Sequence, residues 1–318
     1  MTGRTEPVVS VIVCTYRRPD FLRAALDSLT RQTVPADRFE VIVVDNNSGP
    51  PTPEVVEDYA RHCSYELKYV LESSQGISHA RNAGIISAEA DLIAFLDDDE
   101  VAHPNWLAAH LGVYQTTPEV SAVAGRVWLI WNEAPPDWLV KAGPFGELGR
   151  IDWGDEPHIL QPPEYLGTGN SSFRKGVFDA VGVFDVGLPR SEDTDMERRL
   201  REMGHTVFYS PHAIIYHEVP HDKLTRRFFY RAAFRRGRQR VQLETRERTR
   251  SRPVSSTQDS PTKSNGQNRW LVGKAAPMVV TTLRIALRRG GWTNTARQIF
   301  YTCGVLFESA RMLRSEGK

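Results

Sequence analysis

The stretch that determines the fold class runs from Val8 to Asp45 and has the sequence VVSVIVCTYRRPDFLRAALDSLTRQTVPADRFEVIVVD. It begins and ends with β-branched apolar runs, Val8–Thr15 and Phe39–Asp45, which are typical of buried strands. Between these runs, Pro19 precedes apolar residues at helical spacing, which are Leu22, Ala25, Leu26 and Leu29. A strand, a helix and a second strand in this order predict a βαβ unit with two parallel strands.

The same alternation continues along the chain after Asp45. The predicted elements are a helix over Pro53–His62, a strand over Leu67–Leu71, a helix over Ile77–Ala90, a strand over Leu92–Leu96, a helix over residues 104–117 and a strand over Val120–Trp131. The strands are almost continuously apolar, as expected when both faces of a parallel sheet are covered. We therefore predict an α/β fold with a mostly parallel central sheet and helices on both faces.

The second half of the chain is less regular. The Pro-, Gly- and Trp-rich segment Asn132–Pro163 indicates a long loop or flap. The elements predicted after it are a strand over Gly167–Phe173, a short helix over Lys175–Val181, a longer helix over Ser191–Gly204, a closing strand pair over His205–Glu218 and an arginine-rich helix over Lys223–Arg248. We divide the chain into a domain over residues 1–220, a basic helix over 221–249, a flexible linker over 250–269 and an amphipathic helical tail over 270–318.

Charge is distributed unevenly along the 318 residues. The formal net charge is only +1, but residues 1–220 contain 18 basic and 33 acidic side chains, whereas residues 221–318 contain 22 basic and 6 acidic ones. An acidic body with a basic tail indicates an anionic partner, either nucleic acid or the cytoplasmic face of a membrane. The longest apolar stretch, Leu271–Leu287, is interrupted by Lys274 and Arg284, so no free-standing transmembrane helix is expected. The chain lacks a secretory signal pattern and a C-x-x-C pair, which favours a reduced, cytoplasmic protein.

Polar and acidic residues follow three of the predicted strands. The first strand leads into Thr15-Tyr16-Arg17, the second ends in Asp45 and the fourth is followed by Asp97-Asp98-Asp99-Glu100. The carboxyl ends of the strands line the ligand crevice of an open parallel sheet. Three consecutive aspartates after a buried strand predict a divalent cation, Mg²⁺ or Mn²⁺, because their like charges otherwise repel one another. The alternative is an acidic cluster that caps the following helix.

The chain resembles the inverting glycosyltransferases of family 2, which have the GT-A fold. The resemblance covers about residues 8–220 and rests on the order of its motifs, which are VSVIVCTYRRPDFLRAALDSLTRQT, VIVVDNNS, QGISHARNAGI, AFLDDDE, GTGNSSFRK and SEDTDMERRLREMG. It implies that residues 1–220 form a catalytic domain that takes a nucleoside-diphosphate sugar, most often a uridine nucleotide, together with a divalent metal. It also implies transfer to a hydroxyl of a saccharide or lipid-linked acceptor, in cell-envelope or exopolysaccharide assembly.

The resemblance also assigns residues to the sugar donor. It places Thr15, Tyr16 and Arg17 against the nucleotide, Asp45 at the base or ribose, and Arg81 at the base or diphosphate. The other donor-binding positions that it implies are Gly76, Asp97, Asp98, Gly169 and Asn170. The sequence departs from the family pattern at Thr168, which stands between the two glycines of the segment GTGN.

The metal ligands and the catalytic base are assigned by the same resemblance. Asp97 and Asp99 match the D-x-D signature, with Asp99 as the direct metal ligand and His217 as a further one. Asp98 and Glu100 form an equally spaced acidic pair, so the register of this signature stays open, and His217 has a purely structural role as its alternative. The family's E-D pair matches two catalytic candidates, Glu192 and Asp193. We assign the base to Asp193; the alternative is that both carboxylates only complement a helix dipole.

Other functions remain for comparison. A dinucleotide-dependent oxidoreductase is disfavoured because no G-x-G-x-x-G follows the first strand. A metal-dependent phosphohydrolase could use the aspartate cluster, and a non-catalytic protein could bind nucleic acid through the basic tail. We favour the glycosyltransferase, bound peripherally to the inner face of the cytoplasmic membrane through that tail, with no nucleic acid as partner. The alternative for the tail is that its helices pack on the catalytic domain, with their arginines on its acidic surface.

Overall fold

The computed structural model describes residues 6–188, 190–250 and 292–315. The expected linker at 250–269 and the first part of the expected tail therefore lie almost entirely outside the described residues. The described chain separates into two compact units, one formed by Met1–Ile130 with Gly149–Glu218 and the other by Trp131–Leu148 with Val219–Lys318. The segment 131–148, part of the expected flap, thus groups with the C-terminal helices.

The first unit contains most of the sheet and its flanking helices. Its strands are β1 Val9–Thr15, β2 Phe39–Asp45, β3 Glu66–Leu71, β4 Leu92–Asp97, β5 Glu100–Ala102, β6 Val120–Trp131, β7 His158–Ile159, β8 Asn170–Arg174 and β9 Thr206–Val219. Its helices are α1 Pro19–Leu29, α2 Thr52–His62, α3 Ile77–Ser87, α4 Trp106–Thr116, α6 Val177–Val181 and α7 Glu192–Glu202. The second unit contains α5 Asp137–Ala142, α8 Arg226–Arg250 and α9 Trp292–Ser315. None of the described helices is both long enough and apolar enough to cross a bilayer.

The α/β fold is confirmed, and its sheet has a parallel and an antiparallel part. The strand order is β3-β2-β1-β4-β8-β6-β9-β5, with β7 paired to β9. Strands β3, β2, β1 and β4 are parallel, whereas β8 runs antiparallel to both β4 and β6. The antiparallel part was not predicted, because the irregular spacing after residue 131 carries no signal for strand direction. The expected closing strand pair is one long strand, β9, and the short β5 pairs with it.

Alternate residues of β1 enter two separate cores. Val11 and Val13 pack with Leu22 and Leu26 of α1 on one face of the sheet. Ile12 packs on the other face in the core that contains residues of α3. Gly84 of α3 allows this approach, since a Cβ atom there would lie 2.5 Å from Cγ2 of Ile12. Helices therefore cover both faces of the central strands, as their continuous hydrophobicity predicted.

Candidate active site

The sheet register brings the three polar strand ends together. Thr15 pairs with Asp45 across β1 and β2, and Cys14 pairs with Asp97 across β1 and β4. Leu96 pairs with Asn170 across β4 and β8. The carboxyl ends of β1, β2 and β4 and the amino end of the antiparallel β8 therefore lie side by side at one edge of the sheet, where open α/β folds bind their ligands.

The acidic run after β4 presents alternate side chains to solvent. The side chains of Asp97 and Asp99 are 39% and 19% exposed, whereas that of Asp98 is only 7% exposed and Glu100 is buried. Thr15 donates a hydrogen bond from Oγ1 to Oδ2 of Asp98 at 2.8 Å. Glu100 accepts one at Oε2 from the backbone nitrogen of Asp97 at 3.1 Å. Asp97 and Asp99 are therefore the members of the run with the more accessible carboxylates.

Burial also raises the pKa of the two less accessible carboxyl groups of this run. Desolvation, supported by the charges of Asp99 and Asp97, raises the pKa of Asp98 to about 6, although Thr15 and Arg18 oppose the shift. Burial and the same neighbouring charges raise the pKa of Glu100 well above its ordinary value. The site thus concentrates negative potential, which a bound cation offsets.

Arg18 is a site residue that the sequence analysis missed. Its Nη1 lies 3.2 Å from Oδ1 of Asp98 and 3.0 Å from Oδ2 of Asp99, and half of its side chain is exposed. Thr15, expected to face the nucleotide, is buried and holds Asp98 from the other side. The two adjacent arginines in the segment TYRRP gave the signal, but only the first was assigned a role.

Arg81 connects the acidic run to the E-D pair. Its Nη1 lies 2.7 Å from Oε1 of Glu192, its Nη2 lies 3.3 Å from Oδ1 of Asp97, and its guanidinium lies over the ring of Phe184. The side chain is buried. The structure therefore gives Arg81 carboxylate partners inside the protein, where the resemblance implied an arginine facing the base or diphosphate.

The E-D pair stands at the start of α7. Ser191, which precedes the helix, adopts a left-handed backbone conformation with φ of +67°. Glu192 is buried, and burial and Asp193 together raise the pKa of its carboxyl group against the opposing effect of Arg81. Asp193 is only partly buried and accepts a hydrogen bond at Oδ1 from the backbone nitrogen of Thr194 at 2.7 Å. Asp193 is thus the more accessible carboxylate, and it also contributes to the helix start, as the alternative interpretation expected.

His217 reaches the acidic run through the unpredicted strand β5. The pairing of β5 with β9 places Glu100 opposite His217. Nδ1 of His217 lies 3.8 Å from Oδ1 of Asp99. A histidine that is 118 residues away from Asp99 in the sequence therefore joins the same cluster.

Asp45, Tyr16 and Arg17, which were expected at the nucleotide, lie at or directly after the ends of the neighbouring strands β1 and β2. Asp45 is buried and accepts hydrogen bonds from the backbone nitrogen of Ser48 at 2.8 Å and from the hydroxyl of Tyr69 at 2.9 Å. Burial and this carboxylate raise the pKa of Tyr69 to about 12. The side chain of Tyr16 is exposed, with the guanidinium of Arg17 5.0 Å from its ring centroid.

Asn46 organises the loop that leads into α3. Its Nδ2 donates to the carbonyl oxygens of Glu72 at 3.1 Å and Ser74 at 2.7 Å. Its Oδ1 accepts a hydrogen bond from the backbone nitrogen of Gly76 at 2.8 Å. Gly76 has φ of +136°, which disfavours residues with a side chain. Gly76 was expected to bind the sugar donor. Its hydrogen bond to Asn46 ties it to the end of β2, because Asn46 directly follows Asp45.

Gly169 and Asn170 have different surroundings. A Cβ atom on Gly169 would lie 2.6 Å from Oδ2 of Asp97, so only glycine permits this approach to the acidic run. Asn170 is buried in the core; its Oδ1 accepts hydrogen bonds from Trp106 and His110, and its Nδ2 donates to the carbonyl oxygens of Arg126 and Ala213. With all of these groups paired inside the protein, Asn170 ties β8 to its neighbours and does not reach the cleft.

Comparison with known proteins adds an independent line of evidence. The profile described as "Glycosyl transferase family 2" matches residues 10–181, which is more than half of the chain. The chain belongs to this family. The succinoglycan biosynthesis protein ExoM of Rhizobium meliloti is 31% identical over 239 residues, which cover 72% of each chain. The protein is therefore an enzyme of glycosyl transfer, with relatives that act in polysaccharide and glycan biosynthesis.

Solved structures share the GT-A fold of this glycosyltransferase. A mannosyltransferase from Pyrobaculum calidifontis, in complex with GDP-Man and Mn²⁺, superimposes with a TM-score of 0.60 at 21% identity and covers 96% of this chain and 87% of its own. TarS residues 1–349 of S. aureus, in complex with UDP-GlcNAc, superimposes with a TM-score of 0.55 at 17% identity and covers 96% and 91%. These neighbours confirm the fold class predicted from the sequence.

The residues of the acidic run fit a divalent cation. The two accessible carboxylates of Asp97 and Asp99 are hard oxygen donors of the kind that Mg²⁺ and Mn²⁺ prefer, and His217 supplies a nitrogen beside Asp99. The partially exposed Arg18 neutralises part of the same charge from one side. The donor set therefore suits the metal that the family resemblance implies.

A second acidic cluster lies at the opposite end of the same strands. Carboxylate oxygens of Glu40, Glu66 and Glu89 lie within 4.8 Å of one another. Nζ of Lys68 lies 2.5 Å from both Glu40 and Glu89 and 3.8 Å from Glu66. The ammonium group already supplies the positive charge of this cluster, so we assign it a structural role.

Proposed function

We propose that this glycosyltransferase is a metal-dependent, inverting enzyme that transfers a sugar from a nucleoside-diphosphate sugar, with UDP as the favoured nucleotide. The acceptor is a hydroxyl of a saccharide or of a lipid-linked glycan. One observation carries the proposal: the buried Arg81 joins Asp97 of the D-x-D run, which stays partly exposed, to Glu192 of the E-D pair. The groups proposed to bind the donor and to activate the acceptor are therefore coupled at one edge of the sheet.

The donor is bound by residues at the ends of β1 and β2 in this proposal. Tyr16 offers an exposed ring for contact with the base, and the Asp45 carboxylate, oriented by Tyr69 and Ser48, accepts hydrogen bonds from the base or ribose. Arg17 supplies a cation near the phosphates. Gly169 leaves room for the sugar beside Asp97.

Asp99, Asp97 and His217 would hold the divalent cation, which would stabilise the negative charge of the departing diphosphate. Arg18 and Thr15 orient the acidic run by fixing Asp98 between them. The sequence left open whether Asp97 and Asp99 or Asp98 and Glu100 form the D-x-D pair. The burial of Asp98 and Glu100 supports the assignment of Asp97 and Asp99 to the cation.

Asp193 is the proposed general base. An inverting transfer needs a carboxylate that removes the proton of the attacking hydroxyl as the hydroxyl displaces the nucleotide in line. Asp193 is accessible for this task, whereas Glu192 is buried against Arg81. Glu192 and Arg81 then act as positioning residues that fix the start of α7.

The setting of the reaction is also part of the proposal. ExoM is named for succinoglycan biosynthesis, which supports exopolysaccharide or cell-envelope assembly as the process. A lipid-linked acceptor places the enzyme at the cytoplasmic face of a membrane. The basic residues after position 220 provide the contact.

Replacement of Asp193 tests the proposal. Release of nucleoside diphosphate is measured with a panel of UDP- and GDP-sugars in the presence of Mn²⁺. We expect Asp193→Asn to lower turnover by about 100-fold or more while the KM for the donor changes little, because only the base is lost. Asp179→Asn is the matched control, because Asp179 is an exposed acid in the first turn of α6. Wild-type turnover of Asp193→Asn would contradict the assignment of the base.

A further inference from the structure

The two long helices of the second unit pack with backbone contact. A Cβ atom on Gly237 of α8 would lie 2.0 Å from the carbonyl oxygen of Tyr301, and one on Gly304 of α9 would lie 2.0 Å from that of Phe234. No side chain other than hydrogen fits at either position. The glycines therefore fix one face of α9 against α8.

The face of α9 that packs against α8 is mixed: Val305 forms a small apolar cluster with Val241 of α8, against which Tyr301 and Met312 pack, and the other buried residues are small or polar. Its buried residues are Thr302, Gly304, Val305, Glu308 and Ser309. The carboxylate of Glu308 is fully buried and accepts hydrogen bonds from Arg238 and Gln242 of α8 and from Arg311. Burial alone would raise the pKa of Glu308, but these donors outweigh it and lower the pKa. A satisfied ionic network thus lies beside the small apolar cluster between the two helices.

Several large apolar side chains of α9 are exposed as well. Phe307 is 53% exposed, and Ile299, Phe300 and Leu306 are each about two-fifths exposed. They form one stripe with the exposed Cys303, which we call the α9 stripe. Two of its rings contact aromatic residues of α8, Phe300 on Tyr230 and Phe307 on Phe234. Besides its contact with α8, α9 therefore exposes a continuous apolar surface, which a helix that faces only water does not need.

Arginine side chains of α8 lie next to the α9 stripe or are exposed on the same helix. Arg238 of α8 lies with its guanidinium 5.3 Å from the ring centroid of Phe307, and Arg231 and Arg235 are exposed on the same helix. Among the acidic side chains that the structure describes on the two helices, Glu244 pairs with Arg240, and Glu308 is buried and pairs with Arg238 and Arg311. The surroundings of the stripe are consequently positive.

We propose that the α9 stripe inserts into the headgroup region of an anionic lipid bilayer, with the arginines of α8 on the lipid phosphates. The inference deepens the proposed membrane setting, on which it rests, by naming the inserting face. Exposed apolar side chains next to arginine are the composition of interfacial helices. A second copy of the chain fits less well, because apposed stripes would bring two sets of arginines together.

Point variants are the appropriate probes for this surface. Removal of residues 250–318 also removes α9, which would expose the face of α8 around Gly237 and leave Arg238 and Gln242 without Glu308. Ile299 and Leu306 lie in the stripe but outside its aromatic pairs. Their replacement by serine therefore leaves the contacts between α8 and α9 in place.

Cys303 offers a direct reporter at the centre of the stripe. It is exposed, whereas Cys14 and Cys63 are partly buried and burial raises the pKa of both of their thiols. An environment-sensitive fluorophore is attached to Cys303 of the full-length Cys63→Ser protein. Its emission should shift to shorter wavelength with vesicles of phosphatidylglycerol and phosphatidylcholine but not with phosphatidylcholine alone. The same fluorophore on Cys303→Ser, Cys63→Ser, Ile86→Cys protein should not respond, since position 86 is exposed on α3 of the other unit.

Vesicle flotation completes the test. We expect Ile299→Ser with Leu306→Ser to lower the partition coefficient by about tenfold or more, and Arg231→Gln with Arg235→Gln to lower it on anionic vesicles only. Full-length protein that ignores anionic vesicles at low salt would overturn the inference, as would a serine variant that still partitions but loses self-association in light scattering. Lipid binding without donor hydrolysis would support this surface and contradict the catalytic proposal.

Discussion

The enzyme carries two acidic clusters at opposite ends of the same parallel strands, and they are neutralised differently. The cluster of Glu40, Glu66 and Glu89 surrounds the ammonium group of Lys68. At the other end, Arg18 and Arg81 approach the Asp97–Glu100 run from two sides, and the carboxylates of Asp97 and Asp99 stay partly exposed.

The difference shows that density of carboxylates does not identify a binding site. The carboxylate oxygens of the Glu40 cluster lie within 4.8 Å of one another, yet this cluster contains its own central cation. The Asp97–Glu100 run still has accessible oxygens that no internal cation covers completely. The position of the counter-charge therefore separates a structural ion pair from a candidate site for metal and diphosphate.

The largest expected effect comes from Asp99→Asn. We expect donor turnover to fall by at least about 100-fold and Mn²⁺-dependent binding of nucleoside diphosphate to be lost in titration calorimetry, because the accessible carboxylate charge is removed. The melting temperature should not fall. Glu66→Gln makes the equivalent change in the other cluster and should leave both measurements unchanged. If both variants bind nucleotide equally well, the two clusters do not differ in function.

Lys68→Met tests the structural cluster. Glu40 is fully buried, and loss of its ammonium partner should lower the free energy of unfolding by about 3 kcal/mol, measured by urea denaturation. The addition of Glu40→Gln should restore most of the loss, since the amide oxygen can still accept the hydrogen bonds from Ser10 and from the backbone of Glu89. Donor turnover should stay at the wild-type level. A variant with normal stability but impaired turnover would assign this cluster to the active site.

A smaller effect is expected at His110, a buried polar group that is held without any counter-charge. Burial lowers its pKa from 6.5 to about 4, although the hydrogen bond to Asn170 opposes the shift. Below pH 6.5 this histidine is therefore protonated in the unfolded chain but stays neutral in the folded protein. As a result, the free energy of unfolding decreases as the pH falls from about 6.5 toward 4. Between pH 7 and pH 5 this loss amounts to about 2 kcal/mol.

The measurement compares urea unfolding of the wild type and His110→Gln at the two pH values. The variant should lose about 2 kcal/mol less than the wild type on acidification, because it has no group to protonate at this position. Equal losses in the two proteins would show that His110 is not held in the neutral form. In that case His110 would not differ from Glu40 in the way proposed, with Glu40 kept charged by Lys68 and His110 kept neutral by burial.

Local patterns were sufficient for the parallel half of the fold. Val8–Thr15 and Phe39–Asp45 form strands within one residue of the expected bounds, since buried β-branched runs between turn residues admit few other conformations. The antiparallel half was not predicted in detail. Strand β5 has only three residues, and it is defined by its pairing with β9 more than 100 residues later.

The sequence by itself determined the family, the α/β class and the strand ends at which the polar residues gather, because these depend on short-range periodicity and motif order. Only the tertiary structure decided which carboxylates of the Asp97–Glu100 run stay accessible, that Arg18 and Arg81 neutralise them, and that Asn170 serves the core. It also decided that α9 exposes an apolar stripe. Burial and ion pairing depend on residues that are distant in sequence, so no local pattern specifies them.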